Sequence, residues 1–133
     1  HQVTLRNSVH YSDLPAYYRS ADLYLSASHS DGSSVSLMEA LACGTPVLVS
    51  DIPGNREWIT EAGEVGWLFP DNDSDALADR ILEAIRHRER LSRMSHAARE
   101  LAEKRANWID NFAQLDKAYA LARDLSKTPM EQR

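Results

Sequence analysis

The chain has 133 residues, 43% hydrophobic and 26% charged, enough for one domain with its own core and without the bias of a disordered, fibrous or repeat protein. Its 20 acidic residues outweigh 15 basic ones, the reverse of the basic face a nucleic-acid binder needs for phosphate contacts. No apolar run reaches the length of a membrane span, and no charged start followed by an apolar core marks a signal peptide.

Residues 2–5, Gln-Val-Thr-Leu, alternate like a strand, and with no initiator methionine before them the chain reads as part of something longer. Ser12 to Ser20 follows as a helix, with Ser12 placed to cap it and Pro15 tolerable in its first turn. Asp22-Leu-Tyr-Leu-Ser-Ala is a short buried strand that delivers the chain to a polar loop. An amphipathic helix comes next, then a stop at Gly44, a strand at Val47-Leu-Val and a turn at Pro53-Gly54. Trp58 and Trp67 lie beside these elements as core residues. Arg56 is the nearest cation to the polar loop, either solvated or set against a phosphate.

From Asp73 onward the pattern is helical only. Asp73 caps a first helix with apolar Leu77, Ala78, Ile81, Leu82 and Ile85. Leu91, Met94, Ala98 and Leu101 mark a second helix. Trp108, Phe112, Leu115, Tyr119 and Ala122 form a one-sided stripe on a third, whose simplest role is to cover the domain's own sheet. Residues 1–125 then read as one domain and 126–133, without periodicity, as a disordered tail.

The chemistry converges on the loop Asp31-Gly32-Ser33-Ser34. Its small side chains let backbone amides approach a ligand, and it runs into a helix start whose first N–H groups lack internal partners, an anion site suited to a phosphate or diphosphate. Asp31 precedes that helix and Glu39 lies within it, eight positions on, so two carboxylates flank the amides. Carboxylates accept from hydroxyls, which suits a nucleotide or nucleotide sugar. Simpler readings stand beside this one: Ser36-Leu-Met-Glu39 fits a capping box and Asp31-Gly32 an ordinary turn. The single cysteine, Cys43, reads as small core filler and points to the cytoplasm, and the five histidines show no metal-ligand spacing.

Taken together, Asp31-x7-Glu39, Glu39-Ala-Leu-Ala-Cys-Gly-Thr-Pro-Val, Ser50-Asp-Ile-Pro-Gly-Asn-Arg-Glu57 and Gly66-Trp-Leu-Phe resemble the donor-binding C-terminal half of retaining GT-B glycosyltransferases. That is the group 1 family, which includes sucrose synthases and phosphatidylinositol mannosyltransferases, and the resemblance runs from Val3 to Phe112. By position it implies that Glu39 holds the ribose, that Asp31 contacts the transferred sugar, and that the backbone of Gly32, Ser33, Ser34 and Val35 lies at the diphosphate. It also implies that Asn7, Ser8 and Val9 lie near the base. The family pattern has Glu where this chain has Asp31, one methylene shorter.

The expected fold is α/β, a Rossmann-like doubly wound parallel sheet of about four strands, a partial GT-B C-terminal domain with extra C-terminal helices. The expected function is the donor-binding portion of a retaining glycosyltransferase, with a nucleotide sugar as substrate and no metal or other cofactor. The fragment is expected to be inactive without the parent's N-terminal acceptor domain, and only the parent to meet a membrane surface. A non-catalytic nucleotide-binding module and a nucleotide-sugar epimerase are the alternatives. A cut parallel sheet also leads to an expectation of self-association, through the first strand or the last helix.

Overall fold

The computed structural model describes residues 3–59 and 64–126. A single 3-10 turn at Tyr11–Asp13 leads into α1 (Leu14–Ser20), β1 (Tyr24–Ser26), α2 (Val35–Ala42), β2 (Val47–Ser50), α3 (Pro53–Arg56) and β3 (Gly66–Phe69). Three longer helices follow: α4 (Ser74–Arg86), α5 (Arg88–Arg105) and α6 (Trp108–Ser126). The three strands form one parallel sheet in the order β1-β2-β3, with Tyr24 opposite Val47 and Val49 opposite Leu68.

The central strand explains the layering. Every residue of β2 is buried, as befits a parallel strand covered on both faces. Val47 and Val49 point into a cluster with Leu37, Ala40 and Leu41 of α2 and Ala98 and Ala102 of α5. Leu48, on the opposite face, meets Trp67, Phe69, Ala84 of α4 and Met94 of α5. Trp58 and Trp67 are core residues as expected, each 6% exposed.

Helix α2 ends where its sequence dictates. Gly44 adopts φ +73, its N–H bonds to the Leu41 carbonyl, and the Thr45 N–H reaches back to Ala40. This is the paired closure of a Schellman motif, and glycine supplies the left-handed residue it needs. Asp73 caps α4 as its position requires, accepting from the N–H groups of Asp75 and Ala76 at 3.1 and 2.8 Å.

Several expectations are corrected. Of residues 2–5, Gln2 lies outside the described residues and Val3 to Leu5 form no strand: Val3 and Leu5 are 80% and 89% exposed, and no strand among the described residues lies alongside to pair their backbone groups. The described sheet therefore has three strands rather than about four. Asp13, not Ser12, is the residue before α1, and the Ser12 hydroxyl is occupied with His10 and Asp13. Pro15 does sit in the first turn.

The stripe on α6 does not cover the sheet. Trp108, Phe112, Leu115 and Tyr119 are all exposed, because α2, α4 and α5 already fill both faces. Asn107 starts α6 afresh, its side-chain oxygen accepting from the Ile109 N–H and its amide donating to Asp110. Ser126 closes α6, and residues 127–133 of the expected tail lie outside the described residues. No helix among the described residues is long and apolar enough to cross a membrane.

Candidate functional site

In a parallel sheet all strands end at the same edge, so the loops after them gather there. Here three contacts tie those loops together. The buried Ser50 hydroxyl, at the end of β2, donates to the Ser28 carbonyl at 2.5 Å. Ser50's own carbonyl accepts from the buried Asn55 amide at 2.8 Å, which fixes α3 over the end of β2. His29 Nδ1 meets Asp71 Oδ1 at 2.7 Å, joining the loop after β1 to the loop after β3.

The loop Asp31–Ser34 lies on this edge and runs straight into α2. Ser34 is the residue before the helix, and no side chain caps the helix start, so the first N–H groups of α2 are left for a ligand or solvent. Around Gly32 an added Cβ would meet nothing within 4 Å, so the loop presents open space on that side. Asp31 is exposed, and among the described residues its carboxylate has no hydrogen-bond or ionic partner.

Glu39 behaves differently from a capping residue. Because α2 begins at Val35, Ser36 already lies inside the helix and the capping box is not formed. The Ser36 hydroxyl pairs instead with the Tyr24 phenol at 2.7 Å and with Ser34 at 3.1 Å. Glu39 reaches across to α1, where its Oε2 accepts a hydrogen bond from the Tyr18 phenol at 3.2 Å. Burial, and after it the hydrogen bond to Glu39, pushes the Tyr18 phenol up to about 12. Tyr18 thus remains a protonated donor at neutral pH.

Glu39 and Tyr18 line a cavity of about 210 Å³ together with Tyr11, Leu14, Pro15, Ala42 and Cys43. Its wall is apolar apart from the carboxylate, the phenol groups and the Cys43 thiol. Asn7 and Ser8 are exposed and Val9 half-buried in the irregular segment that leads to Tyr11 at this cavity. Asp31 is not among its lining residues, so the two carboxylates do not share that wall.

Cys43 is half-buried at the cavity rather than filling the core. Arg56 is exposed but not merely solvated: its Nε and Nη2 fork onto the Asp51 carboxylate at 2.5 and 3.1 Å. Among the described residues no group of three or more His, Cys, Asp or Glu side chains is placed to hold a metal ion. Tyr18 and Tyr11 were not singled out from the sequence. The available signal was chemical, since a tyrosine on the inner face of a helix needs an acceptor for its hydroxyl.

Comparison with known proteins gives the site a context. Residues 1–101 match the family described as Glycosyl transferases group 1. The chain is 39% identical over 106 residues to a phosphatidyl-myo-inositol mannosyltransferase of Mycobacterium leprae, a match covering 78% of this chain and 28% of that protein. Among solved structures it superposes on sucrose-phosphate synthase from Thermosynechococcus elongatus with a TM-score of 0.86 and 26% identity. That superposition covers 93% of this chain and 31% of the synthase. The pneumococcal O-GlcNAc transferase GtfA, solved in complex with UDP and GlcNAc, matches at TM-score 0.60 and 31% identity, over 68% of this chain and 19% of that one. The chain thus spans under a third of the length of each of these proteins.

Proposed function

The chain belongs to the group 1 glycosyl transferases, and from that premise we propose that it is the donor-binding part of an enzyme moving a sugar from a nucleotide sugar to an acceptor with retention of configuration. Glu39 accepts from the ribose hydroxyls, and the Gly32 to Val35 backbone lies along the diphosphate. Asp31 contacts the transferred sugar, and Asn7, Ser8 and Val9 border the base. The acceptor is bound by a separate part of a longer polypeptide, so these residues alone carry no turnover.

The observation that carries this reading is the pairing of an uncapped helix start with a carboxylate opening on a cavity one to two turns further along the same helix. Glycosyl transfer leaves negative charge on the departing diphosphate. Helix-start N–H groups and the positive end of the α2 dipole stabilise that charge without rearranging, and they act more strongly on the transition state than on the bound donor. The Glu39 backbone lies about 6 Å along the helix axis from the start of α2, which separates the sugar-hydroxyl acceptor from the amides that meet the diphosphate.

A ligand-observed NMR titration with UDP, GDP and ADP, and with their sugar conjugates, tests the reading on this chain and on Glu39→Ala. UDP leads the panel because GtfA binds it. Selective binding that is lost in Glu39→Ala supports the assignment, and binding kept in the variant refutes it. Where this chain binds none of them, the same comparison moves to a longer polypeptide containing it.

A further inference from the structure

The acceptor oxygens of Glu39 are useful to a ligand only if they are held still. Glutamate is a flexible side chain that loses rotamer freedom when it is fixed, and α2 itself does nothing to fix it. Tyr18 does. Its backbone is anchored by the buried Thr45, whose hydroxyl donates to the Tyr18 carbonyl at 2.7 Å. Its ring packs at a tilt against Tyr24, 6.1 Å between centroids, and against the apolar cluster beneath the sheet. The phenol oxygen is thereby set in place by α1, β1 and the turn after α2 before Glu39 is considered.

The geometry points to Tyr18 as a positioning residue, whose phenol holds one Glu39 oxygen so that the remaining acceptor sites of the carboxylate meet the two vicinal hydroxyls of a ribose. This rests on the ribose reading given above. A carboxylate offers about four acceptor sites, and Tyr18 occupies one. Among the described residues Glu39 Oε1 has no protein donor, so the other sites face the cavity unclaimed.

The test uses the shortest polypeptide containing this chain that binds UDP, GDP or ADP. Affinity for the tightest of the three, and for its 2′,3′-dideoxy form, is measured in the wild type, Tyr18→Phe, Glu39→Gln and the double variant. Tyr18→Phe is expected to weaken the ribonucleotide about five- to ten-fold. It should leave the dideoxy form unchanged and cost less in the Glu39→Gln background than in the wild type. Should Tyr18→Phe fail to fold, Tyr18→Met keeps an apolar side chain there and carries the same comparison. Wild-type affinity in Tyr18→Phe, or equal weakening of both nucleotides, overturns the inference while leaving the ribose reading intact. Unchanged affinity in Glu39→Gln, or no binding by any such polypeptide, overturns the ribose reading and this inference with it.

Discussion

Gly54 and Gly32 meet backbone to backbone: a Cβ built on Gly54 would stand 1.8 Å from the Gly32 carbonyl oxygen and 2.7 Å from that of Asp31. The first turn of α3 thus sets the height of the loop that leads into α2. Gly54→Ala must push backbone against backbone and is expected to cost about 2–3 kcal/mol in urea unfolding. Gly32→Ala meets open space and should change stability by less than about 0.5 kcal/mol. Its methyl nonetheless enters the proposed diphosphate path, so nucleoside diphosphate affinity should fall. A tolerated Gly54→Ala would show that the two loops are not in contact.

Glu39 leaves a titration signature on Tyr18. The phenol is raised to about 12, by burial first and then by the hydrogen bond to Glu39 and its charge. Its folded value lies above the ordinary 10, so the stability it contributes is fully present below about pH 10 and is lost as pH rises through about 12. Glu39→Gln removes the charge and weakens the hydrogen bond but leaves the burial. The last tyrosine to ionise should therefore titrate earlier, without reaching 10, in a tyrosinate absorbance titration, with Tyr18→Phe identifying that residue by its absence. An unchanged midpoint in Glu39→Gln would mean the two side chains are not coupled.

The two core tryptophans differ in one hydrogen bond. Trp67 Nε1 donates to Glu83 at 3.2 Å, while Trp58 Nε1 is buried and has no partner among the described residues. Replacing each by Phe removes a similar apolar area, but at Trp58 it also removes an unsatisfied donor. Arg105 lies 4.7 Å over the Trp58 ring and retains an aromatic face in the variant. Trp58→Phe should therefore cost about 1–2 kcal/mol less than Trp67→Phe in the same denaturation series. Equal losses would mean that Trp58 Nε1 does have a partner in solution.

What could be read from the sequence was what depends on neighbours along the chain. Asp73 caps α4, Gly44 closes α2 and the apolar run at Val47 makes a buried strand because each answers to local chemistry. The expectations that failed depend on what lies across the fold. Val3 to Leu5 alternate like a strand, but alternation supplies no partner strand. The stripe on α6 is sharply one-sided, yet periodicity does not say which surface it faces. The candidate site was half legible: the loop and Glu39 stood out as polar groups in the right order, whereas Tyr18 is 21 residues from Glu39 and becomes its partner only when α1 packs on α2.

The exposed side of α6 should act on solution behaviour. Trp108, Phe112 and Tyr119 are 71%, 52% and 68% exposed, and apolar surface of this kind associates when it finds a complement. This chain is expected to self-associate with rising concentration in sedimentation velocity, and Phe112→Glu with Leu115→Glu should restore the monomer without loss of helical signal. A wild-type chain that stays a monodisperse monomer at high concentration would show that the stripe is not adhesive.

Arg56, at the end of α3 on the same sheet edge as the proposed diphosphate, has its guanidinium committed to Asp51 through Nε and Nη2. That hydrogen bond, against the opposing effect of burial and with a lesser contribution from the charge of Arg56, holds the Asp51 carboxyl below its ordinary 3.8. With the folded value depressed, the stabilisation is fully present above about pH 4 and is lost as pH falls through the lowered value. Both side chains are more than a third exposed, so solvent screening keeps the pair's contribution to stability small. Arg56→Ala should cost correspondingly little at pH 7, less in high salt and nothing in strong acid. Because the fork is already engaged, the same variant should bind nucleoside diphosphate within about two-fold of wild type. A loss of ten-fold or more would mean that Arg56 leaves Asp51 to meet the phosphates, turning the ion pair into the resting state of a ligand-driven exchange.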